Sequence, residues 1–251
     1  MSSTERVDSK VPAVTLTFWA VKTAATTLGE TGGDAVSMSM NLGYLLASTL
    51  FAVVFLAAVS VQIRAARFRP PLYWTSIIAT TTVGTTLADF VDRSLGIGYA
   101  GGSTLLLALL LASFAAWHRS QGSVAVDAIS SPAGEMFYWV TIMFSQTLGT
   151  ALGDWTADSA GLGYKGAAVL FGSALALLAG AYRLTRVSRT ALFWGAFVLT
   201  RPLGAVLGDF LDKPVSAGGL ALSRYGASAS LTVFIAICLL IFPQRAAGRA
   251  H

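Results

Sequence analysis

The segment FWGAFVLTRPLGAVLGDFLD, residues 193–212, is apolar enough to lie in a bilayer, yet it carries Arg201, Asp209 and Asp212. It also contains Pro202 and three glycines. Ionisable side chains inside a membrane are costly, and those that occur there normally face a bundle interior or a wet cavity. The segment therefore predicts a helix with one polar face that is hidden from lipid.

The pattern of this segment occurs four times in the chain, and such internal repetition is typical of a fold built from equivalent units. In each copy a tryptophan follows an aromatic residue, a glycine lies ten residues after the tryptophan, and an aspartate lies five residues after the glycine. The tryptophans are Trp19, Trp74, Trp139 and Trp194, the glycines are Gly29, Gly84, Gly149 and Gly204, and the aspartates are Asp34, Asp89, Asp154 and Asp209. We interpret residues 1–251 as a single membrane domain with repeats at 14–63, 70–118, 135–183 and 190–242.

The composition indicates a membrane protein, because only 12% of the residues are charged and 55% are hydrophobic. A soluble domain carries about a quarter charged residues. Each repeat contains two apolar stretches, most of which approach the roughly 20 residues needed to cross the hydrocarbon core. We therefore predict an all-α polytopic membrane protein with eight transmembrane helices, at 14–36, 42–62, 73–91, 99–117, 137–156, 164–182, 192–211 and 225–242.

The charges of the loops predict the orientation of the chain. Loops and termini on one side carry eleven lysine and arginine residues, and those on the other side carry four. The positive-inside rule places the richer side, with both termini, in the cytoplasm. Because each repeat has two helices, all four repeats run in the same direction, which predicts parallel repeats around a pseudo-symmetry axis along the membrane normal.

The polar residues of the first helix in each repeat share one face, since positions three, seven, eleven and fifteen after the tryptophan fall within one sector of a helical wheel. The second helices are apolar on nearly all sides. We therefore expect the first helices to line a common interior and the second helices to face lipid. The interior is predicted to contain the four repeat aspartates together with Lys22, Thr26, Glu30, Thr81, Gln146 and Arg201.

This interior has the chemistry of a cation site, because its five acidic residues outnumber Lys22 and Arg201 by three. Oxygen donors without histidine or cysteine favour a hard cation such as Mg²⁺ or Mn²⁺. We expect Lys22 and Arg201 to compensate charge or to gate, each pairing with an acid on a neighbouring helix. The predicted metal ligands are Asp34, Asp89, Asp154, Asp209 and Glu30, and Thr26, Thr81 and Gln146 are predicted to assist in ion binding.

Structural roles compete with this interpretation. The tryptophans could form an interfacial aromatic belt near the cytoplasmic surface. The repeat glycines could serve close helix packing. The aspartates could form salt bridges at the helix ends, where Asp92 with Arg93 and Asp212 with Lys213 are ready local partners.

The chain resembles a bacterial membrane-protein family built from four tandem two-helix units, whose repeat has no assigned function. The resemblance rests on the four tryptophans and on the G-x4-D that follows each, and it covers residues 14–242. It implies eight helices and a multi-pass location in the bacterial inner membrane. It implies no substrate.

We predict a secondary transporter for an inorganic cation, chiefly a divalent metal ion. We expect its transport to be coupled to proton exchange. A cation channel, a transporter of a small organic solute, and a scaffold or sensor with a dry, fully paired axis are the alternatives. The sequence contains no nucleophile with a base, histidine cluster or phosphate loop, so we expect no enzyme and no resident cofactor. The expected partners are the lipid bilayer, the cation and protons. We expect no nucleic-acid partner, because the basic loops explain the net charge of +5.

Overall fold

The structure is a computed structural model that describes residues 9–129 and 131–248. The prediction of an all-α protein is confirmed, and the described residues form eight α-helices. The helix bounds lie within a few residues of the predicted spans, except that the third and fifth helices begin earlier and the fourth helix ends later than predicted. The helices are α1 (Leu16–Asp34), α2 (Gly43–Arg64), α3 (Pro70–Asp89), α4 (Gly98–Gln121), α5 (Pro132–Asp154), α6 (Gly163–Leu184), α7 (Arg189–Asp212) and α8 (Arg224–Ile241).

The first helices of the repeats begin at recognisable capping residues. Thr15, Ser131 and Ser188 each accept a hydrogen bond from a backbone N–H of the first turn of α1, α5 and α7. Pro70 begins α3, where its missing N–H is not needed by the helix. α7 then continues through Pro202 to Asp212 without interruption.

A π-helical turn follows the repeat aspartate in the first three repeats, at Ala35–Ser39, Phe90–Ser94 and Trp155–Ser159. The fourth repeat has no such turn in its described residues and continues instead into a loop with a short 3-10 turn at Val215–Ala217. π-helical turns are rare and often lie at functional sites. In the first three repeats the aspartate thus marks the point where the first helix changes its geometry.

The first helices pack against one another in a closed ring, in which α1 contacts α3, α3 contacts α5, α5 contacts α7 and α7 contacts α1. The second helices lie outside this ring. Each of them packs mainly on the first helix of the following repeat, so that α2 lies on α3, α4 on α5, α6 on α7, and α8 on α1. The predicted arrangement of first helices inside and second helices outside is therefore confirmed.

The repeat glycines allow the close approach of the first helices. A Cβ atom at any of them would come within 3.0 Å of the next first helix in the ring, a distance that real Cβ atoms essentially never show. The contacted residue is in every case the one seven positions after the tryptophan of the next repeat. The pairs are Gly29 with Thr81, Gly84 with Gln146, Gly149 with Arg201, and Gly204 with Thr26. The prediction that these glycines serve close packing is confirmed.

Five helices are long and apolar enough to cross a membrane, namely α2, α4, α6, α7 and α8. Large apolar side chains of the outer helices are exposed, for example Leu56 at 60% and Leu177 at 75%. Such exposed apolar faces are expected for helices that contact lipid. Threonine, glycine and charged residues lower the hydropathy of α1, α3 and α5, whose polar faces are turned into the ring.

An aromatic layer fills the ring at the end where the repeat tryptophans lie, which we call the Trp end. Trp74, Trp139 and Trp194 are buried there, while Trp19 is half-buried. Tyr73 and Tyr138 join their hydroxyl groups across this layer by a hydrogen bond of 2.7 Å. The interpretation of the tryptophans as a lipid-facing interfacial belt is wrong for the three buried ones, because the outer helices cover them.

The two terminal segments meet at the Trp end. Pro12 and Ala246 form an antiparallel bridge between them. Lys10 donates hydrogen bonds to three carbonyl groups at the end of α2 and forms a salt bridge of 2.6 Å with Glu135 at the start of α5. The described parts of both termini therefore lie on the same side of the helix bundle.

Candidate ion-binding site

The inner faces of α1, α3, α5 and α7 enclose a polar interior, which we call the axis. Lys22, Thr26, Thr81, Gln146 and Arg201 all line it, and the structure gives each of them 0% exposure. The four repeat aspartates are also buried, at the opposite end from the tryptophans, which we call the Asp end. The prediction that the polar face of the first helices lies in a common interior is confirmed.

An ion pair between α7 and α1 occupies the middle of the axis. Two guanidinium nitrogens of Arg201 donate to the same carboxylate oxygen of Glu30, each at 3.1 Å. Arg201 also donates to the hydroxyl groups of Thr85 and Thr150, so that all four first helices contribute to its surroundings. The predicted pairing of Arg201 with an acid on a neighbouring helix is confirmed.

Lys22 does not pair with an acid. Its ammonium group has no hydrogen-bond partner among the residues that the structure describes, and it lies 3.7 Å from the ring centroid of Phe197. The pairing predicted for Lys22 is therefore wrong. The physical reason is distance, since the repeat aspartates of the neighbouring helices lie twelve residues beyond the level of Lys22, about 18 Å of rise. Glu30 on the same helix is about 12 Å of rise away and already binds Arg201.

At the Asp end, two basic residues bridge the four repeat aspartates. Arg93 lies 2.9 Å from Asp89 and 3.4 Å from Asp154. Lys213 lies 2.7 Å from Asp34 and 3.0 Å from Asp209. Both bases come from segments just beyond the first helices, and they close the axis with charged groups.

These bridges correct the local pairs predicted from the sequence. Arg93 does not bind Asp92 and Lys213 does not bind Asp212 in the described structure; Asp212 instead accepts a hydrogen bond of 2.8 Å from Arg224. Consecutive residues on a helix point in different directions, whereas residues four apart share a face. The bases therefore reach back one turn to the repeat aspartates.

The bridges also change the charge balance of the axis. The five predicted acids face four basic groups once Arg93 and Lys213 join Lys22 and Arg201, so that the excess is one negative charge and not three. Arg224 also lies 3.7 Å from Asp34, but it binds Asp212 more closely, and neither Arg224 nor Asp212 is in this count. Burial alone lowers the pKa of the Lys213 ammonium, but the carboxylates of Asp209 and Asp34 more than reverse this and raise that pKa above its usual value. Lys213 therefore stays charged at neutral pH.

Three of the five predicted metal ligands come together. Glu30, Asp154 and Asp209 each offer a carboxylate oxygen, and these atoms lie within 4.8 Å of one another. This separation fits two oxygens on opposite sides of one hard cation, which binds oxygen at about 2.0–2.6 Å. Asp34 groups instead with Asp209 and Asp212, and Asp89 belongs to neither group of the described residues.

The predicted assisting residues divide into two kinds. Thr26 and Thr81 donate their hydroxyl hydrogens to carbonyl groups of their own helix at 2.8 Å and contact a carbonyl of the neighbouring helix, which is a packing role. Gln146 differs from them. Neither of its amide atoms has a hydrogen-bond partner within residues 9–129 and 131–248.

Four residues of the site were missed by the sequence-based predictions: Arg93, Lys213, Thr85 and Thr150. Arg93 and Lys213 each follow a repeat aspartate by four residues, a spacing that indicates a shared helix face. Thr85 and Thr150 occupy the position of Glu30 in their own repeats. The spacing of Arg93 and Lys213 from the aspartates, and the equivalence of Thr85 and Thr150 with Glu30, can both be read from the sequence.

The family model described as Repeat of Unknown Function (DUF347) matches four segments of the chain, residues 17–68, 72–123, 137–188 and 192–243. Each segment overlaps one repeat, from the aromatic residue before its tryptophan to the end of its second helix. No curated protein and no solved structure matches the chain.

Proposed function

We propose a function for this chain, which belongs to the Repeat of Unknown Function family (DUF347), from the chemistry of its axis: it is a secondary transporter for a small inorganic cation, in exchange for protons. In this proposal all eight helices cross a bacterial inner membrane as four parallel repeats around the axis, with both termini in the cytoplasm. The observation that carries the proposal is the grouping of Glu30, Asp154 and Asp209 within 4.8 Å in a buried interior.

The three carboxylates come from three different helices, α1, α5 and α7, and this arrangement suits an ion that must be bound and released. Each carboxylate holds a different base, namely Arg201, Arg93 and Lys213. A divalent cation at the centre of the group would replace these bases as the partner of the oxygens. Binding and release are then exchanges between partners, and no carboxylate is left buried without a counter-charge.

Proton exchange follows from the same carboxylates. A carboxylate that loses its cation inside a bilayer can take up a proton in place of the cation, which keeps the net charge of the interior small. Two protons would balance one divalent cation. Oxygen donors without histidine or cysteine favour Mg²⁺ or Mn²⁺ over thiophilic metals.

The closure of the axis at both ends supports a carrier in preference to an open channel. The aromatic layer closes the Trp end, and the bridges of Arg93 and Lys213 close the Asp end. The close contacts at the repeat glycines keep the first helices near one another, which favours a cation over an organic solute as the cargo. Alternating access would open these two closures in turn.

A static scaffold is the second candidate, because each of the five axial carboxylates has a basic partner. An axis in which every carboxylate has a basic partner needs no cation. The two candidates differ in one measurable property, since only a transporter moves cations across a sealed membrane.

The test is uptake of Mn²⁺, Mg²⁺ and other divalent metals by sealed liposomes that contain the purified protein, with and without a pH gradient. We expect saturable uptake that the pH gradient accelerates, and loss of uptake in Asp154→Asn. The matched control is Asp158→Asn, because Asp158 lies one turn further on the same segment and is exposed. Thermal melting of each variant in detergent checks that it is folded.

Two results would count against the proposal. If Asp154→Asn is folded and transports as well as the unchanged protein, the carboxylate group is not the cation site. If the unchanged protein moves none of the metals under either condition, the axis is a scaffold.

A further inference from the structure

The ammonium group of Lys22 has no counter-charge in the described structure. It is fully buried, it forms no ion pair or hydrogen bond with any residue in 9–129 or 131–248, and the centroid of the Phe197 ring lies 3.7 Å from the nitrogen. An unpaired buried charge is costly, and the face of one aromatic ring offsets only part of that cost. A negatively charged partner at this position would hold Lys22 in its charged form, whereas without one the buried amine is stabilised by loss of its proton.

Two further hydrogen-bonding groups, within about one helical turn of Lys22 along the axis, are also without partners in the described structure. The side-chain amide of Gln146 and the Nε–H of Arg201 are buried, and neither has a hydrogen-bond partner in the part of the chain that the structure describes. Both residues lie seven positions after their tryptophan, one helical turn beyond the level of Lys22. Buried polar groups are nearly always hydrogen-bonded, so three such groups on adjacent levels of one interior offer hydrogen-bonding capacity that a ligand can use.

Packing does not explain these three residues. At the level of Lys22 the other repeats have Ile77, Ile142 and Phe197. At the level of Gln146 and Arg201 the other two repeats have threonines, which satisfy their hydroxyl groups on backbone carbonyls. An apolar residue and threonine would therefore fill the same positions without an unpaired donor.

The acids of the axis do not serve Lys22. Glu30 is engaged by Arg201, and the repeat aspartates lie twelve residues beyond the level of Lys22, about 18 Å along the helix. The aspartates are bridged by Arg93 and Lys213. In the section of the axis between the aromatic layer and the ion pair of Arg201 and Glu30, the Lys22 amine, the Gln146 amide and the Nε–H of Arg201 thus have no hydrogen-bond partner among the described residues.

We propose that Lys22, Gln146 and the Nε–H of Arg201 form a binding site for a small monovalent inorganic anion of the size of chloride or nitrate. A compact anion accepts hydrogen bonds from all three donors and supplies the charge that Lys22 lacks. Phe197 and Ile142 provide apolar walls, which suit a weakly hydrated anion better than phosphate or sulfate. The site uses the Nε–H of Arg201, which Glu30 does not bind, and it does not depend on the proposed cation transport.

The test measures thermal unfolding of the purified protein in detergent, by tryptophan fluorescence, in sodium chloride, bromide, nitrate or gluconate at matched ionic strength. We expect a saturable rise in the unfolding temperature with the three small anions and none with gluconate. Lys22→Met should abolish the saturable rise, and Gln146→Leu should weaken the apparent affinity at least tenfold. Lys165→Met is the matched control, because Lys165 is exposed at the start of α6 and should leave the rise unchanged.

Crystals grown in bromide give the second measurement, and they keep the proposal testable if Lys22→Met fails to fold. An anomalous peak in contact with the Lys22 ammonium and the Gln146 amide is the expected result. The proposal is overturned if bromide gives no peak there, if chloride and gluconate act alike on the unchanged protein, or if folded Lys22→Met keeps the saturable rise.

Discussion

Arg201 and Glu30, 171 residues apart in the sequence, form a buried ion pair that joins the fourth repeat to the first. Both residues occur only once at their positions among the four repeats. The pair therefore closes the ring of first helices at one specific interface, between α7 and α1. It also divides the axis into a section with carboxylates and a section with unpaired donors.

Removal of one partner of this pair should strongly destabilise the fold. Arg201→Met leaves the Glu30 carboxylate buried without its counter-charge, and a broken buried ion pair costs about 3–5 kcal/mol. We expect the double variant Arg201→Met with Glu30→Gln to recover much of this loss, because both charges are then absent. Thermal unfolding of the two single variants and the double variant gives the coupling energy directly. Additive effects in this cycle would show that the two side chains do not interact.

The contact of Gly204 with Thr26 predicts a second effect on stability. A Cβ at Gly204 would come within 3.0 Å of both the side chain and the backbone of Thr26, so Gly204→Ala forces α7 and α1 apart. Overpacking of this kind typically costs about 1–3 kcal/mol. Gly172→Ala is the control, because a Cβ at Gly172 of α6 has no atom of another residue within 4 Å in the described structure.

The control should be neutral or stabilising by about 0.5–1 kcal/mol, since alanine is the better helix former. Equal unfolding temperatures for the two alanine variants would contradict the close approach of the first helices at the repeat glycines.

The bridge of Lys213 predicts a change in cation affinity. Lys213 competes with any cation for Asp209 and Asp34, because its ammonium lies 3.0 and 2.7 Å from their oxygens. Lys213→Met should therefore tighten the binding of Mn²⁺ at least tenfold, as measured by isothermal titration calorimetry. Addition of Asp209→Asn to Lys213→Met should remove the gain. Unchanged or weaker binding in Lys213→Met would mean that Lys213 and the cation do not share oxygens.

Much of this arrangement could be predicted from the sequence. The four copies of the tryptophan, glycine and aspartate pattern place the first helices inside, because the periodicity of their polar residues defines one face of each helix. The pairing of Arg201 with an acid on a neighbouring helix follows from the same face. The packing role of the repeat glycines could be predicted because small residues are generally found where helices approach closely.

Other features depend on the three-dimensional arrangement and were not predicted. Arg93 and Lys213 lie outside the predicted spans, and the spacing of four residues that puts each of them on the face of its repeat aspartate was not used in the prediction. The burial of the tryptophans depends on the outer helices, each of which packs on the first helix of the following repeat. Lys22 has no acidic partner among the described residues because the acids of the axis lie two or more helical turns away, and Glu30 binds Arg201.

The central claim is that Glu30, Asp154 and Asp209 share one cation inside the axis. The most direct measurement is an anomalous difference map at the manganese edge, from crystals of the unchanged protein grown with Mn²⁺. We predict one strong peak within about 2.0–2.6 Å of a carboxylate oxygen from each of the three residues. A map without a peak in the axis, with the three carboxylates still bound to Arg201, Arg93 and Lys213, would contradict the claim.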